Sequence, residues 1–364
     1  MNNSEFYTFS PNELKQFTVN VFKSIGCSSA DADLAADVLI KADLRGIDSH
    51  GVARLSGYIR LFENNRINPQ PNIRIVREKH GVFTIDGDGG LGLVIAPRAM
   101  NTVLEKTEKY GVSNCAIGNS NHFGIASYHA MMALEHDFIG MSMTNASPLV
   151  APTHAKERML GTNPICYAIP AGDQTPFILD MATSAAANGK LEIAERKNKP
   201  VPEGWLENKE GQATVDPKDL KGGGHLLPLG SDIDHGSHKG YGLGALVDIL
   251  SGVLSGANFG PWVPPFVAFL PVLPDLPGKG LGHFLGAMDI DGFMEVAEFK
   301  QRMDQWILRF KNTRRVDEQN PVLIHGEPEQ MIENSRRNEG IPIIDKVCQD
   351  LKELAVKRHL DHPF

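Results

Sequence analysis

The chain has 364 residues, with 36 Lys and Arg against 44 Asp and Glu, and a formal net charge of −8. Apolar residues make up 41% and charged residues 22%, which excludes a disordered, collagen-like or disulfide-stapled chain. The acidic balance repels phosphate backbones and speaks against nucleic acid as a partner. Four cysteines, Cys27, Cys115, Cys166 and Cys348, lie far apart with no CxxC pair. That argues against a thiolate zinc site and predicts a reducing, cytoplasmic compartment. The opening MNNSEFYTFS shows neither the basic region nor the apolar core of a secretory signal. At about 150 residues per domain, the length predicts two or three domains.

In chain order, Ser10-Pro11-Asn12-Glu13 is a capping box with Pro at the first helical position, and predicts a helix ending near Gly26. Ser28 with Asp31 caps a second helix ending near Gly46, and a third helix is predicted to follow Ser49. The texture then changes. Residues 82–86 read as a strand and 96–110 as a helix. Further short strands are predicted at 115–117, 139–143, 164–169, 177–179 and 282–290. Residues 294–310 and 330–358 read as helical again. The expected architecture is α/β, with a helical domain built from 1–75 plus 295–364 and an α/β domain over 76–294. Between Tyr241 and Leu273 the only charged residue is Asp248. Repeated Gly and Pro through that stretch argue against a membrane span. They predict a buried helix at about 241–255 and a packed loop after it.

Gly87-Asp-Gly89-Gly-Leu-Gly92 matches G-x-G-x-x-G between a predicted strand and a predicted helix. Two features oppose a dinucleotide site. Asp86 and Asp88 place negative charge where phosphates would sit, and the second strand ends in Gly118-Asn119-Ser120 with no acid to hold a ribose. A tight turn into a packed helix is the expectation.

Four clusters carry candidate chemistry. In Asp48-Ser49-His50-Gly51-Val-Ala-Arg54, helical spacing places His50, Arg54 and Tyr58 on one face. Arg54 is suited to clamp a small acid's carboxylate, and His50 to move a proton at its C2 oxygen. An incidental surface histidine is the alternative. Asn119-Ser-Asn-His122-Phe-Gly124 presents a second acid/base candidate, His122, or a histidine bonded within its own loop. Gly161-Thr162-Asn163-Pro164 offers Thr162, beside Ser49 and Arg54, as a substrate contact. Asp180, ending an apolar strand, suits the orienting carboxylate of a triad or the cap of a helix starting near Ser184. In His235-Gly-Ser-His238-Lys239, Lys239 before a helix suits a phosphate. Alternatively His225, His235 and His238 with Asp232 and Asp234 form a metal site for a hydrolase or lyase. A non-catalytic binding protein on the same fold is the third possibility.

Taken in order, Asp48-Ser-His-Gly51 with Arg54, Asn119-Ser-Asn-His-Phe-Gly124, Leu160-Gly-Thr-Asn-Pro164, Leu179-Asp-Met-Ala-Thr-Ser184, Leu227-Pro-Leu-Gly230, His238-Lys-Gly-Tyr-Gly-Leu243, Gly282-His-Phe284 and Gly326-Glu327 span nearly the whole chain. This ordered set resembles the second type of malate/L-lactate dehydrogenases, the NAD(P)-dependent 2-hydroxyacid dehydrogenases unrelated to the Rossmann enzymes. The resemblance implies a non-Rossmann, mixed-sheet cofactor domain and a homodimer or larger homo-oligomer with the site near a subunit interface. It implies a small 2-hydroxy or 2-oxo acid as substrate, with malate preferred and lactate, ureidoglycolate, sulfolactate or a sugar acid as alternatives. It implies His50 as proton donor by analogy with sugar-acid reductases, and His122 by analogy with ureidoglycolate dehydrogenases. His50 is preferred because Arg54 lies one turn away. Implied cofactor contacts are Ser147, Pro176, Ile178, Asp180, Met181, Ala182, His238, Lys239, His325, Gly326 and Glu327. The sequence departs from the family pattern at 231–237, an acidic, His-bearing insert. Two acids there would disfavour a 2′-phosphate, so NAD is favoured over NADP.

Overall fold

The computed structural model describes residues 6–196 and 198–364. The first five residues of the segment read for a secretory signal lie outside the described residues. The elements run β1 (Phe6–Phe9), α1 (Pro11–Ser24), α2 (Ser29–Leu44), α3 (Leu55–Glu63), β2 (Arg74–Lys79), β3 (Val82–Asp86), α4 (Gly92–Tyr110), β4 (Val112–Ser120), α5 (Ala126–Met131), β5 (Phe138–Thr144), β6 (Ile165–Ile169) and β7 (Phe177–Met181). They continue with α6 (Asn188–Arg196), β8 (Leu206–Glu207), β9 (Ala213–Thr214), β10 (His225–Leu226), α7 (Ser237–Asp248), β11 (Leu281–Asp289), α8 (Val296–Lys311), α9 (Glu327–Glu339), β12 (Ile341–Ile344) and α10 (Asp345–Arg358).

A seven-stranded sheet in the order β2-β3-β4-β11-β5-β6-β7 forms the centre. Only β3 and β4 pair in parallel; all other neighbours are antiparallel. This is a mixed sheet, not the parallel sheet of a doubly wound dinucleotide fold. Helix α4 supplies the one crossover, packing Ile95, Ala99, Met100 and Val103 against Phe83, Ile85, Cys115, Ile117 and Leu285. A second core joins the two ends of the chain: Leu14, Phe17, Phe22, Leu39, Leu55 and Ile59 pack with Ile341, Leu351 and Leu354. A small sheet, β10-β8-β9, covers a third core of Leu149, Leu160, Leu191, Leu206 and Leu226.

The capping box is formed at Ser10 and Glu13, and Ser28 accepts the Asp31 N–H. The strands at 82–86, 165–169 and 281–289 lie within a residue of their predicted bounds. Four expectations need correction. No α-helix begins at Ser49. Two 3₁₀ turns, Asp48–His50 and Val52–Arg54, precede α3. The cause is buried Asp43 on α2, whose Oδ2 accepts the Val52 N–H at 2.8 Å and pins the chain there. A Cβ on Gly51 would stand 1.8 Å from Asp43 Oδ1, so only glycine permits the approach.

Secondly, the helical stretch at 330–358 is broken. Gly340, at φ +96°, ends α9, and the β-branched Ile341-Pro-Ile-Ile344 pairs antiparallel with β1. Thirdly, the apolar helix starts at Ser237, passes into a π-turn at Ile249–Val253, and is not buried on all sides. Tyr241, Leu243, Leu246, Ile249, Val253 and Leu254 are exposed in the single chain. Finally, no helix starts at Ser184, which instead bridges Pro228.

The glycine-rich segment at 87–92 is a packed turn. Its N–H groups are spent inward: Gly87 on Gly118 O, Gly89 on Asn119 O and Gly90 on Gly87 O. The Asn121 amide holds the carbonyls of Gly89 and Gly90. A Cβ on Gly92 would lie 2.0 Å from Asn121 O. Those glycines admit neighbouring backbone rather than a pyrophosphate.

Candidate active site

The turn after α2 and the loop after β4 meet above α3. His50 and His122 lie nearly parallel there, their ring centroids 5.6 Å apart at 23°. His50 is carried by the turn that Asp43 anchors, and its Nδ1 lies 2.8 Å from Ser49 Oγ. His122 follows Asn121, whose amide ties the loop to Arg66 and to the glycine turn. Phe123, next in line, stacks on buried His283 at 4.8 Å. His283 is in turn held between Ser120 Oγ and Thr144 Oγ1, both at 2.7 Å.

Two donors converge on His122 Nδ1: the Tyr58 hydroxyl at 2.6 Å and the Gly124 N–H at 3.4 Å. An imidazole nitrogen that accepts twice carries no hydrogen, so neutral His122 bears its proton on Nε2. Tyr58 is a dependable donor, because burial pushes its phenol well above the ordinary value. Both imidazoles are held neutral. Burial, and then the Arg54 charge, lower His50 to about 3. Burial, then His50, Arg54 and His283, hold His122 well below the usual histidine value. Neutral imidazoles at ordinary pH suit accepting a proton from an alcohol and donating a hydrogen bond to a carbonyl oxygen.

Arg54 stands beside the pair. Its Nε donates to Ser49 O, and its Nη1 faces Glu192 Oε2 on α6 at 3.8 Å. That separation is a loose ion pair, not a bidentate clasp. Phe266 closes one side, with centroids 4.8 Å from His122 and 5.2 Å from Tyr58, and with Arg54 Cζ at 6.0 Å.

The other candidate residues fall into separate groups. Asp180, exposed on β7, accepts the Ser127 N–H at 2.9 Å and so fixes the start of α5. It does not orient an imidazole: Ser49 supports His50, and Tyr58 with Gly124 supports His122. Pro176, Ile178, Met181 and Ala182 lie on or beside β7 next to the 325–327 segment. There the Ile178 N–H donates to His325 O at 2.9 Å, and Gly326, at φ +96°, lies against Ile178. Glu327 is occupied, receiving Lys311 Nζ at 2.5 Å and the Ile324 N–H at 2.9 Å. Buried Arg45, at the end of α2, pairs with Glu333 and acts on Asp180, linking this group to the histidine turn. Thr162 offers its carbonyl to the Thr183 N–H. Ser147 Oγ accepts the Phe266 N–H at 2.8 Å, so it reaches the histidines through that ring. His238 and Lys239 stand exposed on the first turn of α7.

The metal alternative is not assembled. His225 is buried against Glu207, His235 pairs with Asp232 on an exposed loop, and no group of three or more His, Cys, Asp or Glu among the described residues is placed to hold an ion. Sequence reasoning missed Phe266, Glu192 and Asp43. Each lies in or beyond an element that gave no local signal of approaching His50.

Residues 9–352 match the family described as malate/L-lactate dehydrogenase. The chain is 44% identical over 343 residues to the malate dehydrogenase of Pyrococcus horikoshii, covering 94% of this chain and 93% of that one. It is 37% identical to the malate/(S)-sulfolactate dehydrogenase of Methanothermus fervidus, covering 97% and 98%. The solved malate dehydrogenase of Entamoeba histolytica superposes with a TM-score of 0.91 at 34% identity, over 99% and 100% of the two chains. The chain belongs to the malate/L-lactate dehydrogenase family. It is a 2-hydroxyacid dehydrogenase, acting on a small hydroxy or oxo acid, and the family carries a nicotinamide cofactor with it.

The residues present fit such a cofactor. A Cβ on Gly326 would stand 2.9 Å from the Cβ of buried Ile178, so only glycine lets the 325–327 turn close onto β7. Lys239 and His238 crown the N-terminus of a twelve-residue helix, where charge and dipole together suit a phosphate. Among the described residues no helix is long and apolar enough to cross a membrane.

Proposed function

We propose that this enzyme interconverts malate and oxaloacetate, with NAD preferred to NADP. The observation that carries the reaction class is the pair of neutral, near-stacked imidazoles beside the loosely held guanidinium of Arg54. The nicotinamide, when bound, supplies or accepts the hydride at the substrate's C2. Arg54 exchanges Glu192 for the substrate's C1 carboxylate, a gain because the new pair is bidentate and enclosed. His122, with its proton on Nε2, donates a hydrogen bond to the C2 oxygen and polarises it. Neutral His50 accepts the C2 hydroxyl proton as the alcohol is oxidised. In the reverse direction it first takes up a proton, favoured once the substrate carboxylate offsets the Arg54 charge, and gives that proton to the C2 oxygen. Ser49 Oγ, at His50 Nδ1, keeps the ring in register through the exchange.

Malate rather than sulfolactate or lactate is supported by the relatives' names. NAD is supported by the acidic loop at 231–237, where Asp232 and Asp234 stand exposed just before Lys239. Homodimerisation is supported by the exposed apolar side chains of Tyr241, Leu246, Ile249 and Val253. A cytoplasmic setting is supported by four free cysteines, all buried. The division into a helical unit from both chain ends and an α/β middle is supported by the pairing of β1 with β12.

The test is oxidation of NADH and NADPH with oxaloacetate, pyruvate, 2-oxoglutarate and glyoxylate. Oxaloacetate with NADH is expected to give the highest kcat/KM. His50→Ala is expected to lose most of kcat, and Arg54→Ala chiefly to raise KM. No oxidation with any of these acids refutes the reading, and wild-type rates in His50→Ala move the proton transfer to His122.

A further inference from the structure

The segment 263–266 reaches the histidine pair from about two hundred residues further along the chain, and it is fixed there on three sides. The Phe266 N–H donates to Ser147 Oγ at 2.8 Å. The Phe266 carbonyl accepts from Arg60 Nη2, and the Pro265 carbonyl accepts from Arg66 Nη1 at 2.9 Å. Pro264 and Pro265 remove two N–H groups from a buried stretch and hold its backbone extended. The ring therefore does not swing freely. It is 9% exposed and lies flat to tilted against His122, edge-on to Tyr58, and beneath Arg54. The floor is equally specific: a Cβ on Gly57 would stand 2.6 Å from Phe266 Cζ, so α3 has been cut back to admit this ring.

We propose that Phe266 sets the upper size limit on the substrate's C3 side chain. This rests on the 2-oxo acid reading above. An acid with its carboxylate on Arg54 and its C2 oxygen at the two imidazoles is bordered by Phe266, which lies against both His122 and Arg54. That wall is apolar and closely packed: three bonds hold its backbone, and Tyr58, His122 and the gap at Gly57 enclose the ring, so a longer tail meets it directly. Ser147, Arg60 and Arg66 act through the ring and are positioning residues.

The experiment compares kcat/KM for oxaloacetate and for the longer 2-oxohexanoate in wild type, Phe266→Ala and Phe266→Leu. One methylene in an apolar pocket is worth about 10- to 200-fold in discrimination. Phe266→Ala is therefore expected to raise the 2-oxohexanoate to oxaloacetate ratio by about 10-fold or more, with Phe266→Leu between it and wild type. Should Phe266→Ala fail to fold, Phe266→Leu alone carries the test, because it keeps an apolar side chain in the gap. A ring that only held the fold together would lower both rates alike and leave the ratio unchanged. An unchanged ratio in a folded variant that still reduces oxaloacetate overturns the proposal and leaves the dehydrogenase reading standing. Wild type that reduces no acid overturns both.

Discussion

Removing one oxygen atom tests the assignment of roles at the histidine pair. Tyr58→Phe keeps the buried ring, with its edge contacts to Phe22 at 6.1 Å and Phe266 at 5.2 Å, and deletes only the hydroxyl that lies 2.6 Å from His122 Nδ1. What remains at that nitrogen is the Gly124 N–H at 3.4 Å, a long bond. The deletion thus forfeits about 0.5–1.5 kcal/mol, the usual net worth of a buried neutral hydrogen bond. Because the bond fixes the tautomer that polarises the C2 oxygen, the loss falls on the transition state. At about 1.4 kcal/mol per factor of ten, kcat is expected to fall roughly 2- to 13-fold, with kcat/KM falling by the same factor and KM little changed. Steady-state kinetics on Tyr58→Phe, His122→Gln and the double variant check this. If Tyr58 works only through His122, the double variant turns over at the rate of His122→Gln alone. Wild-type kcat in Tyr58→Phe, or a full multiplicative loss in the double variant, refutes the reasoning.

Two further outcomes follow from groups near the site. His129 and His283 are fully buried, and burial lowers them to about 4 and about 3. Native histidines below their unfolded value stay neutral while the unfolded chain takes up protons. Their contribution is therefore complete above about pH 6.5 and lost as pH falls toward 4 and 3. Once pH is well below 6.5, the two together cost about 2–3 kcal/mol of unfolding free energy per pH unit. Urea unfolding at several pH values between 7.5 and 5 checks this, and a flat profile contradicts it. Gly51→Ala places a Cβ 1.8 Å from Asp43 Oδ1, and is expected to cost about 1–3 kcal/mol of stability and to displace His50. A thermal midpoint and kcat both equal to wild type speak against Asp43 as the anchor.

Much of the chain was legible before folding. The capping box at Ser10, the cap at Ser28 and the strands at 82–86, 165–169 and 281–289 are set by neighbours within a few residues, so local propensity and alternation expose them. The reading of 87–92 as a packed turn followed from Asp86 before it, Asp88 within it and the lack of an acid in Gly118-Asn119-Ser120. The ordered motifs along the chain also indicated a 2-hydroxyacid dehydrogenase, and drew attention to His50, Arg54, Tyr58 and His122.

Tertiary structure decided what those residues do to each other. Nothing near Ser49 in sequence forbids a helix; it is buried Asp43, reaching across to the Val52 N–H, that breaks the segment into two turns. Gly340 and Pro342 stop the helix locally, but Ile341–Ile344 becomes a strand because β1, more than three hundred residues away, pairs with it. The tautomer of His122 depends on a tyrosine from another element, and the role of Ser147 on a phenylalanine more than a hundred residues later. Local patterns carry the energies of single turns and strands. The neutrality, orientation and enclosure of the histidine pair arise only when burial removes water and brings Arg54, Tyr58 and Phe266 to one place.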